Sequence, residues 1–161
     1  MPWIQAGFYA VLPFLAAAGG VLSGGWLWDT LLKRTGSLNV ARKLPIVAGL
    51  LGASTIILAN YTASDRVLIA VLSFAFFSQG MTGLGWTVIS DIAPKQMIGL
   101  TGGIFNLAAN LAGVITPIAV GLIIGSTGSF VHALTYVGAA ALFGAASYAF
   151  LLGDIEQIVL E

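Results

Sequence analysis

Two asparagines, Asn106 and Asn110, stand four residues apart in a long apolar stretch and so share one face of a helix. An amide is costly in hydrocarbon unless it is hydrogen-bonded, and polar groups at membrane depth often mark solute paths. An amide both donates and accepts, so it suits the hydroxyl groups of a small polar solute. Gln79 and Trp86 occupy a neighbouring apolar stretch, and an indole covers a C–H face while its N–H donates. With Tyr9, which alternatively belongs to an interfacial aromatic belt, these residues form the candidate substrate-binding set.

The composition shows which elements must carry these side chains. The 161-residue chain is 58% hydrophobic and only 7% charged, whereas a soluble domain carries about 25% charged residues. Five apolar runs approach the roughly 20 residues that a helix needs to cross a bilayer, at about 6–28, 44–60, 67–90, 97–125 and 130–152. None shows the alternating polarity of a β-barrel strand. The sequence therefore predicts an all-α integral membrane protein with about five transmembrane helices.

Stripes of small and polar residues indicate which helices face protein or a cavity. Along the fourth run, one helical face holds Gly99, Gly103, Asn106, Asn110, Gly113, Pro117 and Gly121. The third run has a similar stripe from Ser73 to Ser90, and the first has one from Tyr9 to Gly24. We expect the first, third and fourth helices to line a cavity, with the second and fifth outside them. Close helix packing is the alternative explanation for each single glycine or serine.

The basic residues predict how the chain is oriented. Lys33, Arg34, Arg42 and Lys43 all fall in the predicted first link, 29–43, which should therefore be cytoplasmic. Five spans then place the N-terminus outside and the C-terminus in the cytoplasm. Because the chain begins beside a span and shows no leader peptide, we expect it to be part of a larger protein with a preceding helix absent.

Several function classes are disfavoured by the residues themselves. The net charge is zero and no basic run occurs, so a nucleic-acid partner is not expected. The chain has no cysteine and a single histidine, His132, and it shows no nucleophile–base pair or metal-ligand spacing. The sequence therefore predicts no enzyme activity, no metal and no cofactor.

The stretch GGWLWDTLLKR, residues 24–34, carries a spaced pattern of Gly25, Asp29, Lys33 and Arg34. It resembles a loop motif of the major facilitator superfamily that lies between helices 2 and 3, with a weaker copy between helices 8 and 9. Thr30 and Leu32 replace an arginine and a glycine of that motif, as is typical of the weaker copy. The alternative is an ordinary helix end that keeps its charges in the cytoplasm.

The segments ARKLPI, DIAPKQMIGLTGGIFNLAANLAGVITPIAVG and GDIEQI narrow the resemblance. They are similar to the anion:cation symporter family, and within it to the glucarate and galactonate permeases. The resemblance implies helices 8 to 12 of a twelve-helix transporter, a partial C-terminal six-helix bundle without the N-terminal half. It also implies a sugar-acid site lined by a tryptophan and an asparagine, which match Trp86 and Asn106. Gly83 and Gly85 replace hydroxyl residues found before that tryptophan in some members.

The function implied is proton-coupled symport of an organic anion, such as a sugar acid, by alternating access in the bacterial inner membrane. The partners implied are the anion, protons, the lipid bilayer and the N-terminal half, which would hold the anion-binding arginine and the proton-carrying acids. Two alternatives stay open. One is a degenerate or non-transporting membrane scaffold, and the other is a family member that carries an aromatic acid or a dicarboxylate.

Overall fold

The computed structural model describes residues 3–83 and 85–155, and it describes side chains from residue 7 onward. Across these residues, five helical segments are long and apolar enough to cross a membrane. The helices are α1 (Trp3–Thr35), α2 (Leu38–Ser54), α3 (Asp65–Met81), α4 (Gly85–Ile92), α5 (Ile98–Thr127) and α6 (Phe130–Ala146). A 3₁₀ segment, Thr55–Tyr61, extends α2, and a π turn, Ser147–Leu151, extends α6. The prediction of an all-α membrane protein with five spans is confirmed.

The first link is much shorter than the sequence predicted. Helix α1 continues to Thr35, so Gly25, Asp29, Lys33 and Arg34 lie on a helix and not in a loop. Only two residues connect α1 to α2. Gly36 adopts a φ of +64°, which favours glycine, and Ser37 caps α2 by accepting from the Val40 amide. Hydropathy marks the end of the apolar run, but lysine and arginine are good helix formers and carry the helix further.

The third span is not one helix, contrary to the expected continuous segment 67–90. Helix α3 ends at Met81, and α4 begins at Gly85. The amides of Thr82 and Gly83 donate to carbonyls three residues back, at 3.0 Å each, as in a tight turn. Hydropathy does not reveal such a break, although the glycines at 80, 83 and 85 were a local signal for it.

Helix α2 is the most enclosed of the five described spans, and its expected place outside the cavity-lining helices stays a prediction. It contacts α1, α3 and α6, and its buried residues are Ala41, Pro45, Ile46, Gly49 and Ala53. Three of these five residues are alanine or glycine, and such small residues let neighbouring helices approach closely. Helix α5, by contrast, lies at one side against α4 and α6, and Gly102 is its one buried residue.

The tightest packing joins α1 to α3 through glycine. A Cβ on Gly20 would collide with the carbonyl oxygen of Phe77, and a Cβ on Gly80 would collide with that of Ala17. The two backbones therefore touch without intervening side chains, as small residues permit in membranes. This contact fixes the position of α3 up to the break that precedes α4.

We expect Gly20→Ala and Gly80→Ala each to destabilise the protein by about 1–3 kcal/mol, because the added methyl meets backbone that cannot rotate away. Thermal unfolding in detergent measures the effect. Gly19→Ala is the matched control, since its Cβ would lie 3.9 Å from the Phe77 ring, an ordinary contact. Equal melting temperatures for Gly19→Ala and Gly20→Ala would contradict the close backbone contact.

Candidate functional site

The two asparagines of α5 form a hydrogen-bonded pair. The Nδ2 of Asn110 donates to the backbone oxygen of Asn106 at 2.8 Å and to its Oδ1 at 3.0 Å. Both side chains are otherwise exposed on α5. These bonds use the Nδ2 of Asn110 and the Oδ1 of Asn106. The Nδ2 of Asn106 and the Oδ1 of Asn110 remain available to a ligand.

Trp86, the second residue of α4, lies against the same part of α5. A Cβ on Gly102 would lie 2.9 Å from the indole Cη2, so the absent side chain of Gly102 makes room for the ring. The centre of the indole is 5.7 Å from that of Phe105, with the rings tilted by 56°. Trp86 keeps 49% of its surface exposed. Because Asn106 follows Phe105 directly, the structure brings Trp86 into the neighbourhood of the asparagine pair.

Gln79 and Tyr9 lie elsewhere. Gln79 lines a cavity of about 430 Å³ between α1, α2, α3 and α6, and every other residue lining it is apolar. Neither Trp86 nor the asparagines belong to that lining. Tyr9 is exposed near the start of α1. The described structure therefore places Trp86 beside the turn of α5 that carries Asn106, and it does not join Gln79 or Tyr9 to them.

The break between α3 and α4 is a site feature that the sequence reading missed. It comes just before Trp86, and the Gly85 amide donates to the Thr82 carbonyl at 3.1 Å. Discontinuous helices are common at transporter binding sites, because they free backbone groups at membrane depth. Here the break also separates the helix that carries Trp86 from the helix anchored on α1.

Charged residues of three helices lie where α1 and α4 end and α2 begins, a region that we call the charged end. The Nε of Arg42 lies 2.7 Å from the Oδ2 of Asp91, with 14% and 24% of the two side chains exposed. The guanidinium carbon also lies 4.7 Å from the centre of the Trp28 ring. Among the described residues, Asp29, Lys33 and Arg34 form no ion pair. Nor do three metal-ligating side chains cluster anywhere in the described ranges.

We expect Asp91→Asn and Arg42→Gln each to lower stability by about 1–3 kcal/mol, because each leaves a partly buried charge without its partner. The double variant should lose less than the sum of the two, since the residues act as one unit. Thermal unfolding of the single and double variants measures this coupling. Asp29→Asn, on an exposed acid, is the control and should have little effect. Additive losses would refute the coupling.

Comparison with known proteins adds independent information. No protein-family profile matches the chain. It is 46% identical over 161 residues to a probable galactarate/D-glucarate transporter of Escherichia coli, and 48% identical over 162 residues to one of Bacillus subtilis. A D-galactonate transporter of Escherichia coli is 43% identical over 155 residues. These alignments cover 96–100% of the chain but only 35–36% of each relative. The chain thus spans about a third of the length of these relatives.

Proposed function

Since the chain belongs, over the third of their length that it spans, to the sugar-acid transporters of the major facilitator superfamily, we propose that it forms part of a sugar-acid transporter. The observation that carries the proposal is the 46–48% identity across the whole chain to two galactarate/D-glucarate transporters. The same membership places the chain among transporters and not among enzymes. The substrate proposed is a hydroxylated organic acid of the galactarate, D-glucarate or D-galactonate type.

The place of Trp86 beside the turn that carries Asn106, and the hydrogen bonds from Asn110 to Asn106, support this substrate class. A sugar acid presents several hydroxyls, for which an amide offers both a donor and an acceptor, and C–H faces that an indole covers. The free Nδ2 of Asn106 is the group that we assign to a substrate hydroxyl. Asn110 donates to Asn106 and thereby orients its amide. Gln79 and Tyr9 belong to the proposed site only if helices from outside this chain complete a cavity that both residues line.

The carboxylate of the substrate requires a different partner. Among the described residues, every charged side chain lies near a helix end or in a link, outside the middle of the spans. We therefore assign the carboxylate-binding cation and the proton-carrying acid to an N-terminal half that acts with this chain. Substrate would then bind between the halves near the midplane, and proton-coupled symport would proceed by alternating access.

The charged end would face the cytoplasm of a bacterial inner membrane, with the N-terminus outside, because Lys33, Arg34, Arg42 and Lys43 lie there.

A chimera tests the proposed site. The matching segment of the Escherichia coli galactarate/D-glucarate transporter is replaced by this chain, and uptake of radiolabelled D-glucarate is measured in cells that lack their own transporters. Asn106→Ala should lower uptake by about tenfold or more, because a hydrogen bond to the bound solute is lost. Leu107→Ala, at an exposed neighbouring position, should insert and transport like the unmodified chimera.

The outcomes separate the alternatives. Unchanged uptake in Asn106→Ala would remove Asn106 from the site. A chimera that inserts but takes up none of D-glucarate, aromatic acids or simple dicarboxylates would favour the non-transporting scaffold. Uptake of an aromatic acid in place of D-glucarate would keep the transporter and change the substrate.

A second variant tests the placement of Trp86. Gly102→Ala should displace the indole, because the new methyl would lie 2.9 Å from its Cη2. We expect the KM for D-glucarate in the chimera to rise about tenfold while the amount of protein in the membrane stays the same. Gly103→Ala is the matched control, since no atom lies within 4 Å of its Cβ position. Equal KM values for the two variants would contradict a role of Trp86 in substrate binding.

A further inference from the structure

A short turn, not a continuous helix, joins α3 to α4. Eight residues cannot form a stable helix by propensity alone, so the place of α4 depends on its tertiary contacts. One contact is Trp86 on Gly102 of α5, and another is the ion pair of Asp91 with Arg42. The most buried contact is that of Val88, which is 3% exposed.

Val88 belongs to an apolar cluster at the charged end, formed with Trp28 of α1, Ile46 of α2 and Ile155. Ile155 is 2% exposed although it comes after α6 and its π turn, outside any helix. The Nε1 of Trp28 is buried without a hydrogen bond among the described residues. Packing and the Arg42 cation therefore hold Trp28 in place. The stability of the cluster thus depends on close packing of its apolar side chains without a cavity.

Polar contacts hold Ile155 in this cluster. Its backbone amide donates to the Oδ1 of Asn39 at 3.2 Å, and the Nδ2 of Asn39 donates to the Oδ1 of Asp154. The Nζ of Lys43 donates to the carbonyl of Leu152 at 2.6 Å. The segment Leu152–Ile155 is thus tied to the first turns of α2 and contributes one isoleucine to the cluster that holds Val88 of α4. We call this segment the clasp.

We propose that the clasp positions α4, with Ile155 as the positioning residue and Asn39 as its anchor, and that it thereby sets the place of Trp86. The link is short, because Trp86 lies two residues before Val88 on the same helix. Loss of the Ile155 side chain opens a cavity in the cluster that holds Val88, and a short turn, not a continuous helix, joins α4 to α3. The consequence for transport rests on the proposed function, whereas the consequence for α4 does not.

Thiol labelling tests the inference in the chain itself. The sequence has no cysteine, so Val88→Cys places a single reporter in the cluster. In lipid nanodiscs, a maleimide should label this buried thiol slowly. Ile155→Ala should raise the labelling rate about tenfold or more, because α4 opens more often. Asn39→Ala should raise it in the same direction without altering an apolar side chain of the cluster, and Ile155→Val should keep it near the original rate.

Ile57→Ala is the matched control, because it removes the same atoms at the contact of the α2 extension with Gly138 of α6. It should leave the labelling of position 88 unchanged. Equal acceleration by Ile57→Ala, or none by Ile155→Ala, would overturn the inference. Ile92→Cys, on a half-buried residue packed against the same cluster, is a second reporter if Val88→Cys does not fold.

The transport arm uses the chimera described above. Ile155→Ala should raise the KM for D-glucarate about tenfold with little change in the maximal rate, because Trp86 is misplaced while the cycle itself is intact. Ile155→Val should restore the KM, and Ile57→Ala should not alter it. A chimera without any uptake would refute the proposed function, and the labelling result would still decide the role of the clasp. Faster labelling with an unchanged KM would refute the link to Trp86.

Discussion

Hydrocarbon supplies no hydrogen bonds, and this constraint shapes the whole molecule. Every backbone group within the spans must be satisfied inside its own segment, which selects helices, and charged groups move to the helix ends. Between helices no hydrophobic driving force remains, so association depends on how closely two backbones approach. Gly20 and Gly80 allow this approach between α1 and α3, because the facing backbone leaves no room for a Cβ at either position. The rest of the bundle is arranged around this contact and around the small residues of α2.

The same constraint explains why the break in the third span is informative. An interruption at membrane depth costs hydrogen bonds, so it persists only where the surroundings compensate for it. Around α4 the compensation comes from an aromatic contact, a partly buried ion pair and an apolar cluster. Together these contacts join α4 to α5, α2, α1 and the segment that carries Ile155. A short helix held in this way can be moved by small changes at any one of its contacts, which suits a segment that carries a proposed substrate residue.

Hydropathy and glycine patterns were sufficient to predict the fold class and the five spans, because burial in lipid acts on long averages of the sequence. They were insufficient for single residues. Trp86 and Asn106 were selected from residue chemistry and resemblance, and the structure brings them to the same part of α5. The ion pair of Arg42 with Asp91 was not predicted, because 49 residues separate them in the chain and no local signal connects them. The burial of Ile155 could not be predicted for the same reason, since its partners Trp28, Ile46 and Val88 come from three different helices.

The hydrogen bonds between Asn110 and Asn106 also bear on how α5 enters the membrane. A helix is inserted before all of its final neighbours are in place, and two bare amides would then add to the cost of transfer into lipid. Asn110 lowers that cost by donating within its own helix, to the backbone and the side chain of Asn106. The polar groups of α5 can therefore be carried into the bilayer at moderate expense during biogenesis. The i, i+4 spacing of the two asparagines thus favours insertion, apart from the role in substrate binding proposed for them.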